Sequence, residues 1–205
     1  MKINLPVILL AGLVLFQACG SASKADDSKE ATVVVSDELN NEGLSFAVLG
    51  APIDSMKLPA DATTEEELVS QEGYQWRVLT VFLPDGRKAI IEGDFVDEGD
   101  PGGKLRNSNI NRVQVDGPDW QSPEGIRVGQ SLEDLVQAYG DSALMATWIP
   151  DYEVIDVSLP GISRIHYNLS DPSGKVAGLA QNNVAQVGLS EIPMESNIVS
   201  IVISF

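Results

Sequence analysis

INRVQVDGPDWQSPEGIRVGQSLEDLVQAYG, residues 110–140, sets out a strand, a loop and a helix in succession. Ile110 to Val115 reads as the strand, and the Gly, Pro and Ser residues that follow read as the loop. Ser131 is placed to cap a helix whose first turn carries Glu133 and Asp134, and Gly140 stops it. Leu132, Leu135, Val136 and Tyr139 recur at the spacing of one helical face, which gives that helix a side to bury. A short amphipathic helix beside strands calls for a sheet to pack on.

Working outward, most of the remaining chain reads as strand. Tyr74 to Leu83 and Lys88 to Phe95 flank Pro84-Asp85-Gly86 and form a hairpin. The first of these is apolar on both faces near Val78 to Leu83, the pattern of a central, doubly covered strand. Leu44 to Leu49, Tyr152 to Val157, Ile162 to Leu169 and Asn197 to Phe205 are further strands. In the last, Val199, Ile201, Ile203 and Phe205 share one face, with Ser200 and Ser204 opposite. Thr64-Glu65-Glu66-Glu67 has the form of a capping box and predicts a second short helix that Gly73 ends. The expected class is α+β, mainly antiparallel sheet with two short helices in a single domain over residues 43–205.

Residues 1–19, MKINLPVILLAGLVLFQAC, have a different character. Lys2 precedes an apolar run from Leu5 to Phe16, too short for a bilayer core of about 30 Å but suited to a secretory signal. Ala18 and Gly20 flank Cys19, the only cysteine of the chain. The stretch resembles a bacterial lipoprotein signal, which implies cleavage after residue 18 and acylation of Cys19. Lipid attached there is the expected membrane anchor. In that class of protein, Gly rather than Asp after the Cys implies outer-membrane sorting. Residues 20–42 are mostly small and charged and read as a flexible tether, so 19–42 carries the acylated Cys and its spacer.

The chain has 205 residues with 13 Lys and Arg against 30 Asp and Glu, a net charge of −17. Such a surface repels a phosphate backbone, so nucleic acid is excluded as a general partner. One Cys excludes a disulfide framework, and one His limits imidazole chemistry to His166. G-x-S-x-G, H-E-x-x-H and C-x-x-C are all missing from the sequence. His166 alternates with apolar Ile165 and Tyr167, which puts it on the polar side of its strand.

Three groups of residues remain as candidates. Asp94, Asp97, Glu98 and Asp100 crowd one loop and supply the oxygen ligands that calcium prefers, without EF-hand spacing. Trp120, in the polar loop after residue 115, is a candidate binding aromatic, and with Arg164 and His166 it makes a candidate binding surface. Trp76 reads as core, while Trp148 joins Trp120 as a residue that a sugar or peptide groove would use. A carboxylate pair beside either Trp would suit a hydrolase of envelope polymers.

The order strand, Gly-Ile-Arg-Val-Gly, capped helix and Tyr-Gly over 110–140, followed by ISRIHYNLS at 162–170 and NIVSIVI at 197–203, resembles the small envelope-stress (sigma-E) regulated bacterial lipoproteins. That family is a domain family of unknown function. The resemblance implies an envelope address and a fold, and transfers no catalytic residue and no cofactor. The leading expectation is a non-enzymatic, lipid-anchored envelope protein that binds a partner protein. A calcium- or ligand-binding module and a carboxylate-dependent hydrolase are the alternatives.

Overall fold

The computed structural model describes residues 39–99, 105, 107–161, 163–180 and 185–205. These all fall within one compact unit, while the signal sequence, Cys19 and residues 20–38 of the expected tether lie outside them.

Alternation builds one large antiparallel sheet. Its strands, in chain order, are β4 (Thr63–Gln71), β5 (Tyr74–Phe82), β6 (Lys88–Gly93), β7 (Val96–Asp97), β8 (Ile110–Asp116), β9 (Met145–Ile149), β10 (Val154–Ser158), β11 (Ile165–Ser170), β12 (Ala185–Val187) and β13 (Ile198–Ser204). They lie in the order β12-β9-β10-β11-β13-β8-β6-β5-β4, and β7 pairs with the start of β5. Register puts Ala89, Val115 and Ile201 in one row and Ile91, Val113 and Ile203 in the next, all fully buried. The rows continue through Tyr167 and Ile165 of β11. Side chains two apart on the central strands therefore form a single apolar face.

That face is covered from the other side by helix, loop and a second sheet. β1 (Leu39–Asn40), β2 (Gly43–Leu44) and β3 (Ala47–Val48) make a three-stranded antiparallel sheet that adds Leu39, Leu44 and Ala47 to the core. It begins inside the stretch expected to be tether. The helix α1 (Leu132–Tyr139) adds Leu132 and Leu135, with Val136 and Tyr139 packed beside them. Its start is a complete capping box: the Asp134 amide donates to the Ser131 hydroxyl, and the Ser131 amide donates to the Asp134 carboxylate. Gly125 and Gly129, on the approach to it, have φ of +91° and +93°, which only glycine adopts cheaply.

The two-helix expectation holds in kind but not in place. Thr64–Glu67 lies on β4, because pairing with β5 along nine residues outweighs one local capping signal. Glu72 and Gly73, with φ of +53° and +85°, are the two-residue turn of the β4–β5 hairpin rather than a helix stop. The second helix is α2 (Lys175–Ala180), capped by Asp171, whose carboxylate accepts the Val176 and Ala177 amides at 2.8 and 3.0 Å.

β5 is next to the edge of the sheet, not at its centre. Leu79 and Val81 are buried, yet Phe82 on the other face is exposed. On β13 a bulge opposite Asn168 and Leu169 shifts the alternation by one residue. Ile198 enters the core and Val199 turns outward, while Ile201 and Ile203 keep the expected face. Phe205 is exposed rather than part of that face.

Candidate functional site

β4 forms one edge of the large sheet, and eight of its nine residues are exposed, with Val69 half-buried. All nine pair with β5 in unbroken register, so the strand carries no bulge, and it contains no proline. In an antiparallel ladder, alternate residues turn both backbone groups away from their neighbour, so this edge presents a row of open donors and acceptors.

Side chains give the edge a sign and two faces. Glu66 is held by Arg77, whose Nε donates to it at 2.6 Å while Nη1 reaches Asp54 at 2.9 Å. The Glu66 and Asp54 carboxylates hold the Arg77 guanidinium above its ordinary pKa, the hydrogen bond that Arg77 donates to Glu66 being the largest cause. Glu65 and Glu67 lie on the other face, opposite Thr80 and Val78, and their carboxylates have no hydrogen bond or ion pair with any described residue. Next along that face Val69 pairs with Trp76. The Trp76 ring packs edge-on against Phe95 with centroids 4.9 Å apart. Trp76 is thus buried as expected, but in a small cluster on the outer side of the sheet. Tyr74 and Phe95 are each more than half exposed around it, at 52% and 53%, while Leu68, 53% exposed, lies on the opposite face, paired with Arg77. Acidic side chains therefore lead directly into an apolar patch along one accessible edge.

The outer face of the sheet carries a second polar array. His166 Nδ1 meets the Asp156 carboxylate at 3.0 Å, and Asn168 donates to the Ser200 hydroxyl at 3.0 Å. Further along, Arg112 pairs with Glu92, donates to Gln114 at 2.8 Å, and holds its guanidinium 5.2 Å from the Tyr152 ring. Asp156 orients the imidazole, but no described hydroxyl is hydrogen-bonded to His166. The array cross-links strands and fixes side chains on an open surface.

The residues singled out in the sequence are dispersed. Trp120, expected on a binding surface, is 1% exposed in the core. Its indole N–H donates to the Lys88 carbonyl at 3.1 Å, and the Arg87 guanidinium sits 4.5 Å from its ring. It anchors a loop. Trp148 is likewise buried, so neither Trp lines a groove. Arg164 is exposed just before β11, with its guanidinium 4.8 Å from the Phe205 ring and its amide donating to Asn41 Oδ1 at 3.3 Å. Arg164, His166 and Trp120 thus have separate partners, Asn41 and Phe205, Asp156, and the Lys88 carbonyl.

In the acidic loop, Asp94 accepts the Asn109 amide at 3.0 Å and Asp97 accepts the Gly99 amide at 2.7 Å. Among the described residues no three His, Cys, Asp or Glu side chains converge on a point that would hold a metal ion. Asp100 and Cys19 lie outside those residues. No described helix is long and apolar enough to cross a membrane. Sequence reasoning missed the β4 edge altogether. Its signals were Thr63, Thr64 and Val69, which favour strand, and a Glu-Gly pair suited to a hairpin turn.

No family model matches the chain, and no relative is found among curated proteins. Among solved structures, the uncharacterised protein yfeY from Escherichia coli is similar, with a TM-score of 0.52 and 16% identity. The alignment covers 82% of this chain and 99% of that one. The likeness is one of fold: this chain shares its architecture with an uncharacterised bacterial protein.

Proposed function

We propose that the chain is a lipid-anchored protein of the bacterial cell envelope whose folded domain binds a partner protein at the β4 edge. The accessible edge carries this reading: nine residues without bulge or proline, exposed Leu68 among them, beside exposed Tyr74 and Phe95. Proteins ordinarily cover, twist or shorten such an edge, because it invites pairing with another chain. Anchoring rests on the sequence around Cys19, and the acidic surface leaves acylation rather than basic contacts with anionic lipid as the attachment. The resemblance to the sigma-E regulated lipoproteins, and the outer-membrane address that Gly20 implies, belong to the same proposal.

Two measurements test it. Cys19→Ala should move the protein from the membrane to the soluble fraction, and retention in the membrane would refute lipid anchoring. A photo-crosslinking residue at Leu68 should capture a discrete envelope protein that the same residue at Gln186, on the opposite edge, does not. Capture should disappear with Glu65→Lys/Glu67→Lys. Equal capture from both edges would remove β4 as the docking site.

A further inference from the structure

We infer that β4 receives an extended basic segment by antiparallel strand addition, with the pattern apolar-apolar-basic-x-basic in its own N-to-C direction. The inference rests on the partner-binding reading and names the chemistry of the partner. Main-chain pairing with an exposed edge supplies affinity that any extended segment shares, and alternate side chains then select the sequence.

The pattern follows from register. An antiparallel strand laid on β4 starts opposite Gln71 and ends opposite Thr63. On the outer face it meets Val69 beside Trp76 and Phe95, then Glu67, then Glu65. Those positions call for an apolar residue followed by two basic ones, each two residues apart. On the inner face it meets exposed Leu68, which favours a second apolar side chain, and then Glu66. Arg77 already neutralises Glu66, so that position is left undetermined.

Charge also decides against a second copy as the occupant. Antiparallel self-pairing centred on β4 sets Glu67 opposite Glu67, and brings Glu65 against Val69 and Glu66 against Leu68. Two chains each with a net charge of −17 also repel at longer range. Three adjacent glutamates thus guard the edge against its own kind while leaving it open to a basic strand.

The test uses the full chain in non-ionic detergent and a labelled nine-residue peptide with Val-Leu-Lys-Thr-Lys at its centre. Fluorescence anisotropy should show saturable binding that weakens as salt rises. Replacing both Lys by Glu, or using the Glu65→Lys/Glu67→Lys protein, should weaken binding about tenfold through two cross-strand pairs. The Glu peptide should bind the charge-reversed protein better than it binds the native one. N-methylation of alternate amides on the pairing edge should abolish binding, because it removes the ladder. Undiminished binding by the N-methylated peptide, or no binding at about 100 μM, would overturn strand addition. If Leu68 still captures its partner while no peptide binds, partner docking stands and strand addition falls. Loss of both removes both.

Discussion

The hydroxyls of Tyr139 and Tyr167 lie 2.7 Å apart and tie α1 to β11 in the middle of the sheet. Tyr167 is fully buried, so its hydroxyl needs a partner inside the protein. Burial is the largest cause of the upward shift of both phenols. A phenol whose pKa is raised by folding stabilises the folded state below the ordinary value of about 10, and that contribution is lost as pH rises beyond it. The unfolding midpoint should therefore fall steeply above about pH 10, and less steeply in Tyr139→Phe/Tyr167→Phe. Thermal melts across that range, with phenolate absorbance followed in parallel, measure both.

The Ser131–Asp134 box predicts an acid-side effect of opposite sign. The Ser131 amide, and then its hydroxyl, hold the Asp134 carboxyl below its ordinary value. Its contribution is present above the unfolded carboxyl value and lost as pH falls through the folded one. Ser131→Ala should cost about 1 kcal/mol near neutrality. The gap from the native protein should narrow below about pH 4. Urea unfolding at both pH values checks this.

Gly93, at the end of β6, and Ser108, just before β8, form a tight pair. A Cβ on Gly93 would stand 2.2 Å from the Ser108 hydroxyl oxygen and 2.8 Å from Ile53 Cδ1. Gly93→Ala should destabilise by about 1–3 kcal/mol through overpacking. Ser108 Oγ is buried without a hydrogen-bond partner, so Ser108→Ala should be neutral or slightly stabilising. The Gly93→Ala/Ser108→Gly pair should recover part of the loss, measured as a double-mutant cycle.

Arg77 is expected to act locally. As a bridge from β5 to Glu66 on the edge and Asp54 below, it holds β4 more than it holds the core. Arg77→Met should lower global stability by about 1 kcal/mol or less. It should speed amide exchange within residues 63–71 well beyond the change elsewhere, as hydrogen-exchange mass spectrometry would show.

The central sheet was legible because its rows repeat a two-residue period that burial of one face enforces, as at Ile201 and Ile203. α1 was legible because Ser131, Asp134 and the apolar face all gave the same answer. The Thr64–Glu67 stretch failed because its capping signal spans four residues, whereas the competing strand pairing is made with residues beyond the turn at Glu72 and Gly73. α2 gave too little to read: six residues, one of them Gly178, with its cap supplied from Asp171. Trp120 looked like a ligand platform because its neighbours are polar. Only the tertiary fold shows the Lys88 carbonyl waiting for its indole. The candidate site was illegible for a related reason: an edge is defined by which strand has no neighbour, and sequence does not state that.

Residue-resolved amide exchange of β4, with and without the basic peptide, tests the central claim most directly. The account predicts that amides facing away from β5 exchange rapidly in the free protein. They should become protected on alternate residues when the peptide binds, while α1 and the opposite edge at β12 stay unchanged. Outward-facing amides of residues 63–71 already protected in the free protein, or protection that appears at β12 instead, would contradict it.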